Sequence, residues 1–125
     1  MPWKVDFYQE KDGTYPVEVF FNSLPDRHVG KILQAIQLLE EWGPNLPFPY
    51  SSQVEGRMRE LRAHYGKNHY RILYYGDTNR VFILLHAFLK HTDQIPEGEK
   101  RLALHRMIKD EQNKTYREAR NDQKD

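Results

Sequence analysis

Basic and aromatic side chains are concentrated between residues 57 and 75, in the stretch RMRELRAHYGKNHYRILYY. A single acid, Glu60, stands among five cations, which are Arg57, Arg59, Arg62, Lys67 and Arg71. The same stretch contains two histidines and four tyrosines, namely His64, His69, Tyr65, Tyr70, Tyr74 and Tyr75. Guanidinium groups bind phosphate through planar, bidentate contacts, and aromatic rings stack on unpaired bases. This pattern indicates a phosphate-bearing partner, and the alternative is a solvated sheet face that is merely basic.

The net charge of +1 is distributed unevenly along the chain. Residues 1–56 contain four Lys or Arg and eight Asp or Glu, whereas residues 57–109 contain eleven against five. Residues 110–125 are nearly neutral, with four Lys or Arg and five Asp or Glu. Because polyanion binding depends on a local basic patch more than on the average charge, the middle segment is the part expected to bind.

The N-terminal half is predicted to form one strand and two helices. Residues 3–7 alternate as a strand, and Pro16 suits the first position of a short helix that ends before Pro25. Asp26 can begin a second helix, whose apolar residues recur at helical spacing until Gly43 stops it. These two helices are expected to lie as a hairpin on one face of a sheet, and PNLPFPYSSQ after them is predicted to be an irregular loop.

The C-terminal half is predicted to be a three-stranded antiparallel meander followed by a helix. The strands are expected at about 57–65, 69–75 and 80–90, with turns at GKN and GDTN. The last strand, RVFILLHAFLK, is apolar enough to be central and covered on both faces. A third helix is expected to open near Pro96, with Leu102, Met107 and Ile108 toward the core. The predicted domain is residues 1–112, and residues 113–125 form a polar tail without an apolar stripe.

Several classes of protein are excluded by composition. The 125 residues contain no cysteine, which rules out disulfide scaffolds, thiolate metal sites and cysteine nucleophiles. No apolar run approaches the roughly 18 residues needed to span a bilayer, and MPWKVDFYQE has no apolar signal-peptide region. We therefore expect a single cytoplasmic domain with no membrane partner, no bound metal and no other cofactor.

Three short motifs occur in an order and spacing that resemble the RelE/ParE superfamily of bacterial toxins, in particular its HigB-type, phage-derived branch. They are ELR at residues 60–62, YR at residues 70–71 and HAFLK at residues 86–90. The resemblance covers about residues 3–109, which is nearly the whole predicted domain. His91 departs from the pattern, because a second lysine is common at that position in the branch.

The resemblance implies a small α+β domain with helices packed on one face of a curved antiparallel sheet. It also implies the toxin of a type II toxin–antitoxin system, acting as a metal-independent endonuclease that cleaves mRNA on the translating ribosome. The implied partner is a cognate antitoxin, expected to be a helix–turn–helix protein from a neighbouring gene. Two alternatives stay open, a ParE-like inhibitor of a protein target such as DNA gyrase and an inactive phage-derived relative.

RNA can be cut without metal when its own 2′-OH attacks the adjacent phosphate, which requires a base, an acid and cations. Arg62 and Arg71 lie on adjacent predicted strands, so their guanidinium groups could converge on one phosphate. Lys90 and His91 end the apolar strand and are the further catalytic candidates, with His91 able to transfer a proton near neutral pH. The alternatives for Arg62 and Arg71 are that they are solvated or that they pair with Glu60 and Asp77. The alternative for His91 is that it only precedes a helix cap.

A second set of residues is predicted to bind RNA without taking part in the chemistry. It contains the remaining cations of the hairpin, a competing base and one stacking ring, which are Arg57, Arg59, Lys67, His64 and Tyr75. His86 is expected to be a core histidine with satisfied hydrogen bonds. Arg71 follows Tyr70 on a strand with one accessible face, so its head group is expected outside the core.

Overall fold

The computed structural model describes residues 3–113, which form five strands and three α-helices. In chain order they are β1 (Lys4–Phe7), α1 (Pro16–Asn22), α2 (Asp26–Trp42), β2 (Ser51–Glu55), β3 (Met58–Tyr65), β4 (Asn68–Gly76), β5 (Val81–Lys90) and α3 (Glu97–Gln112). A short 3₁₀ turn, Gly43–Asn45, follows α2. The predicted α+β class is confirmed.

The five strands form one mixed sheet in the order β1-β5-β4-β3-β2. Strands β2 to β5 are antiparallel neighbours, as expected, but β1 pairs with β5 in parallel, so the wholly antiparallel sheet of the prediction is wrong at this edge. The chain leaves β1 through two helices, enters the sheet at the opposite edge and returns by the meander, which brings β5 alongside β1. The first three residues of β2, at positions 51–53, fall in the segment predicted to be an irregular loop, so that prediction is wrong for its last three residues.

Each face of the sheet carries its own apolar core. One core contains Val17, Ile32 and Leu39 of α1 and α2 with Ile72 and Leu84 of the sheet. The other contains Leu73, Tyr75 and Ile83 of the sheet with Ala103 of α3. The predicted position of α1 and α2 on one face is therefore confirmed, whereas α3 covers the opposite face because the strand alternation leaves apolar residues there as well.

The second helix ends where the sequence predicts it, at Gly43. Its φ of 59° lies in the left-handed region, which glycine adopts without steric cost. A Cβ at this position would lie 2.8 Å from the Trp3 ring. Trp3 in turn stacks on Phe82 with ring centroids 4.3 Å apart, so this close approach joins the end of α2 to β5.

The third helix begins after Pro96, as predicted, but it turns a different stripe toward the sheet. Ala103 and Asp110 are buried, whereas Leu102 and Ile108 are 38% and 56% exposed, so the predicted inward placement of these two residues is wrong. No helix in the described part of the chain is both long and apolar enough to cross a membrane. Residues 114–125 of the predicted tail lie outside the described residues.

Candidate functional site

The register of the β3–β4 hairpin places the predicted site residues opposite one another. Its two-residue turn has Gly66 at a φ of 58°, and Tyr65 pairs with Asn68 on either side of it. Counting along both strands from there, Arg62 lies directly opposite Arg71. The expectation that these arginines occupy adjacent strands is confirmed.

Strand β5 adds the third cation from the other side of β4. His69 lies opposite His64 on β3 and opposite Lys90 on β5, so these three residues form one row across three strands. Arg62 and Arg71 lie in the next row, about 7 Å away along the strands. Residues directly opposite, and residues two apart, share a face of a sheet. We call Arg62, Arg71 and Lys90 the cationic cluster.

Arg71 is the buried member of the cationic cluster. Its residue surface is only 3% exposed, so the expectation that its head group lies outside the core is wrong. Its Nε lies 3.5 Å from Oε2 of Glu60, which is also buried, and its Nη1 donates to the carbonyl of Tyr70 at 3.0 Å. Ser52 Oγ donates to the other Glu60 oxygen at 2.7 Å. The pairing with Glu60 was one of the alternatives left open by the sequence.

The Arg71–Glu60 ion pair is incompletely hydrogen-bonded. Within residues 3–113, neither Arg71 Nε nor Glu60 Oε2 has a hydrogen-bond partner. Burial lowers the pKa of Arg71 from its usual value, Arg62 lowers it further, and Glu60 opposes both effects. A buried cation with a loosely placed partner and a like-charged neighbour favours the approach of an anion.

Arg62 and Lys90 are the accessible members of the cationic cluster. Both are partly exposed, and neither has a carboxylate within ion-pair distance among the described residues. The Arg62 guanidinium instead lies 5.0 Å from the ring centroid of Phe48. The pKa of Lys90 is lowered, first by burial and then by the neighbouring Arg71, with Arg62 adding to the effect. The three like charges destabilise one another in the absence of a bound anion.

The proton-transfer candidates lie near this cationic cluster but differ in placement. His64 and His69 are exposed, and their rings stack with centroids 5.5 Å apart in the same row as Lys90. His91 is exposed just beyond the end of β5. The sequence identified His64 as a competing base and treated His69 only as a residue beside the turn. The hairpin register is the signal that would have paired them.

The remaining predicted RNA-binding cations lie apart from the cationic cluster. Arg57 pairs with Glu111 of α3. Arg59 lies opposite Tyr74, which belongs to the core under α1 and α2. The Nε of Arg59 donates to Ser51 Oγ at 3.0 Å. Lys67 is exposed in the hairpin turn. The structure therefore does not place Arg57 and Arg59 with Arg62, and only Lys67 is at the His64 end of the hairpin.

Tyr75 was predicted to stack on RNA, and the structure contradicts this prediction. The residue has no exposed surface, and its hydroxyl donates to the carboxylate of Asp110, which α3 brings over the sheet. The Arg57 guanidinium covers its ring at 5.3 Å from the centroid. Strand alternation correctly predicts that Tyr75 and Tyr74 point to opposite faces. It does not show that α3 covers the face of Tyr75.

His86 has hydrogen-bond partners for both ring nitrogens, as predicted, but it is partly exposed and lies at the edge of the core. Its Nε2 lies 2.5 Å from Glu99 Oε2, and its Nδ1 lies 3.2 Å from Arg106 Nη1. Because Arg106 can only donate, Nδ1 accepts and Nε2 carries the proton toward Glu99. Burial lowers the pKa of His86 below its usual value, although the Glu99 carboxylate raises it in part. Arg106 adds to the lowering and is itself paired with Glu10 at 3.1 Å.

Acidification is expected to destabilise the protein through His86. Because its pKa is lower in the folded state, the unfolded chain takes up the proton first, and stability falls as pH drops below about 6.5. Urea unfolding between pH 7 and pH 5 measures this slope. His86→Gln should reduce it, with His105→Gln at an exposed position of α3 as the matched control. An identical slope in His86→Gln and the wild type would contradict the prediction.

The fold and the cationic cluster define a class: a small α+β domain with three neighbouring cations, one buried and two accessible, on one face of its sheet. The chain belongs to the phage-derived Gp49-like family, since the family model "Phage derived protein Gp49-like (DUF891)" matches residues 19–119. The phage-derived relationship expected from the three motifs is thereby confirmed.

The chain is similar to a solved structure, the archaeal RelE–RelB complex from Pyrococcus horikoshii OT3, at 22% identity and a TM-score of 0.47. That match covers 71% of this chain and 96% of the other. A search of curated proteins gives no significant match. Among residues 3–113, no group of three or more His, Asp or Glu side chains could hold a metal ion.

Proposed function

We propose that this protein is the toxin of a type II toxin–antitoxin system and cleaves mRNA on the translating ribosome without a metal ion. The observation that carries the proposal is the convergence of Arg62, Arg71 and Lys90 from three adjacent strands. Like charges repel, and Glu60 pairs with only one of the three, Arg71, so a bound anion would stabilise the arrangement further. A phosphodiester that passes from one negative charge toward two is such an anion.

The proposed reaction is attack of the RNA 2′-OH on the adjacent phosphorus. Arg62 and Lys90 contact the phosphate oxygens, and the buried Arg71 adds positive potential from beneath. A base removes the 2′-OH proton while an acid protonates the leaving 5′-oxygen, which yields a 2′,3′-cyclic phosphate and a 5′-hydroxyl. His64 and His91 are the proposed base and acid, because both are exposed near Lys90 and imidazole exchanges protons near neutral pH.

A cognate antitoxin is proposed to neutralise the protein. The expected partner is a helix–turn–helix protein from a neighbouring gene, and its carboxylates would cover Arg62 and Lys90. Charge complementarity of this kind gives fast association and excludes RNA from the same surface. Co-expression of the neighbouring gene is therefore expected to restore growth.

One observation favours a second candidate, a ParE-like inhibitor that binds its protein target without cutting RNA. Arg71 is buried against Glu60, so it is less available to a phosphate than an exposed arginine would be. In this alternative the cations of β3 to β5 form only a binding surface, for a protein target such as DNA gyrase.

Induced expression separates these two candidates from each other and from an inactive phage-derived relative. The nuclease is expected to arrest growth and to create new mRNA 5′ ends within translated reading frames, which sequencing of 5′-hydroxyl ends maps. Blocking translation initiation should abolish those ends. Growth arrest without new ends would favour the binding protein, and normal growth with confirmed folded protein would favour the inactive relative.

A further inference from the structure

Phe48 is an exposed aromatic residue beside the cationic cluster, and neither the fold nor the proposed chemistry uses it. It is 69% exposed, whereas Phe21 and Phe82 are buried in the core. Removing a phenylalanine side chain from water stabilises a protein, so the exposure of Phe48 gives up stability. An isolated exposed apolar residue is common, but this one lies against a cation of the proposed site.

The segment that carries Phe48 is held firmly on both sides. Leu46 is buried in the core, and the prolines at positions 47 and 49 flank the phenylalanine. After it, the amide of Arg62 donates to the carbonyl of Tyr50 at 2.9 Å, at the start of the β2–β3 pairing. The ring is therefore presented at a fixed position by backbone contacts, while most of its own surface stays open.

The guanidinium of Arg62 and the ring of Phe48 form one continuous surface. They lie 5.0 Å apart, in cation–π contact, and an exposure of 69% means that Arg62 covers at most one face of the ring. A phosphate bound at Arg62 would thus have an open aromatic face beside it. Single-stranded RNA presents this combination of an anionic phosphate and an unpaired base on the same or the next nucleotide.

We propose that Phe48 stacks on an unpaired base of the RNA next to the phosphate held by the cationic cluster. This inference rests on the proposed function and names the part of the substrate that Phe48 contacts. The contact tolerates any base because every base has a π-face, so it positions the strand without reading its sequence. Arg62 links the two contacts, because the same side chain touches the phosphate and the ring.

The test is the affinity for a short single-stranded oligonucleotide with 2′-O-methyl riboses, which lacks the nucleophilic hydroxyl and cannot be cut. Phe48→Ala is expected to weaken binding roughly 5- to 150-fold, the range for loss of one stacked base. Phe48→Trp should retain the affinity. Val19→Ala, at an apolar residue on α1 that is 56% exposed, is the matched control and should bind as the wild type does. Circular dichroism confirms that each variant is folded.

An abasic site moved along the oligonucleotide identifies the stacked base. At one position it should weaken wild-type binding and leave Phe48→Ala unaffected, so that the two changes are not additive. If the wild type binds and Arg62→Ala does not, but Phe48→Ala equals the wild type, the stacking inference is overturned and the proposed function stands. Phe48 would then be assigned to a protein contact. If the wild type does not bind the oligonucleotide, the stacking inference is overturned, and the mapping of new mRNA 5′ ends decides the proposed function separately.

Discussion

Arg71→Ala is expected to lower the free energy of unfolding by about 3 kcal/mol and Tm by roughly 10–20 °C. The substitution removes the partner of Glu60, whose side chain is only 11% exposed and lies 3.5 Å from Arg71. Breaking a buried ion pair in this way costs about 3–5 kcal/mol, since one charge stays buried alone. Arg62 and Lys90 remain near Glu60, which places the expected loss at the lower end.

Two variants separate the loss of the ion pair from the loss of packing. Arg71→Met with Glu60→Leu removes both charges and keeps comparable volume, so it should recover most of the stability. Arg71→Lys keeps the charge but not the planar fork, and an intermediate loss is expected. Urea unfolding gives each free energy. An unchanged midpoint for Arg71→Ala would show that Glu60 is adequately solvated without it.

The hairpin is the part of the site that the sequence predicts well. Gly66 and its neighbours mark a tight turn, and a period of two residues then places Arg62 and Arg71 on one face of adjacent strands. The position of Lys90 can also be predicted, because the apolar strand β5 is long enough to reach the same end of the sheet. These are local patterns, and local patterns fix register.

The burial of individual side chains depends on contacts between distant segments, which a single sequence does not reveal. Tyr75 is covered because Asp110, 35 residues away, reaches its hydroxyl. The hairpin register allows Glu60 to pair with Arg71, since both lie on the same face of neighbouring strands, but it does not show that both residues are buried. Phe48 is positioned by the pairing of β2 with β3, and the proline-rich segment just before β2 obscures this strand in the sequence.

Repulsion within the cationic cluster lowers the stability of the fold, whereas the proposed function requires these charges. Arg62 lowers the pKa of Arg71, and Arg71 lowers the pKa of Lys90, so each cation disfavours the charge of the next. A bound anion would relieve this repulsion. A variant that removes one of the accessible charges should therefore lose function without losing stability, which is the signature of a site retained for its ligand.

Lys90→Met is expected to reduce mRNA cleavage about 100- to 1000-fold, the usual effect of removing one donor that stabilises transition-state charge. Methionine replaces the ammonium group and keeps an unbranched stem, so packing beside β4 is preserved. The substitution ends the burial of a charge and its repulsion from Arg71, which together outweigh the lost attraction to Glu60, so the free energy of unfolding should stay the same or rise. Cleavage is measured on ribosomes translating a defined mRNA, with urea unfolding of the same preparation.

Lys67→Met is the matched control for Lys90→Met, since it removes the same charge from an exposed turn at the same end of the sheet. It should reduce cleavage far less, because a distant backbone contact contributes to binding and not to the transition state. Lys90→Arg should restore a large part of the activity. Equal losses in Lys67→Met and Lys90→Met would mean that cleavage depends only on total charge, and full activity of Lys90→Met would remove Lys90 from the mechanism.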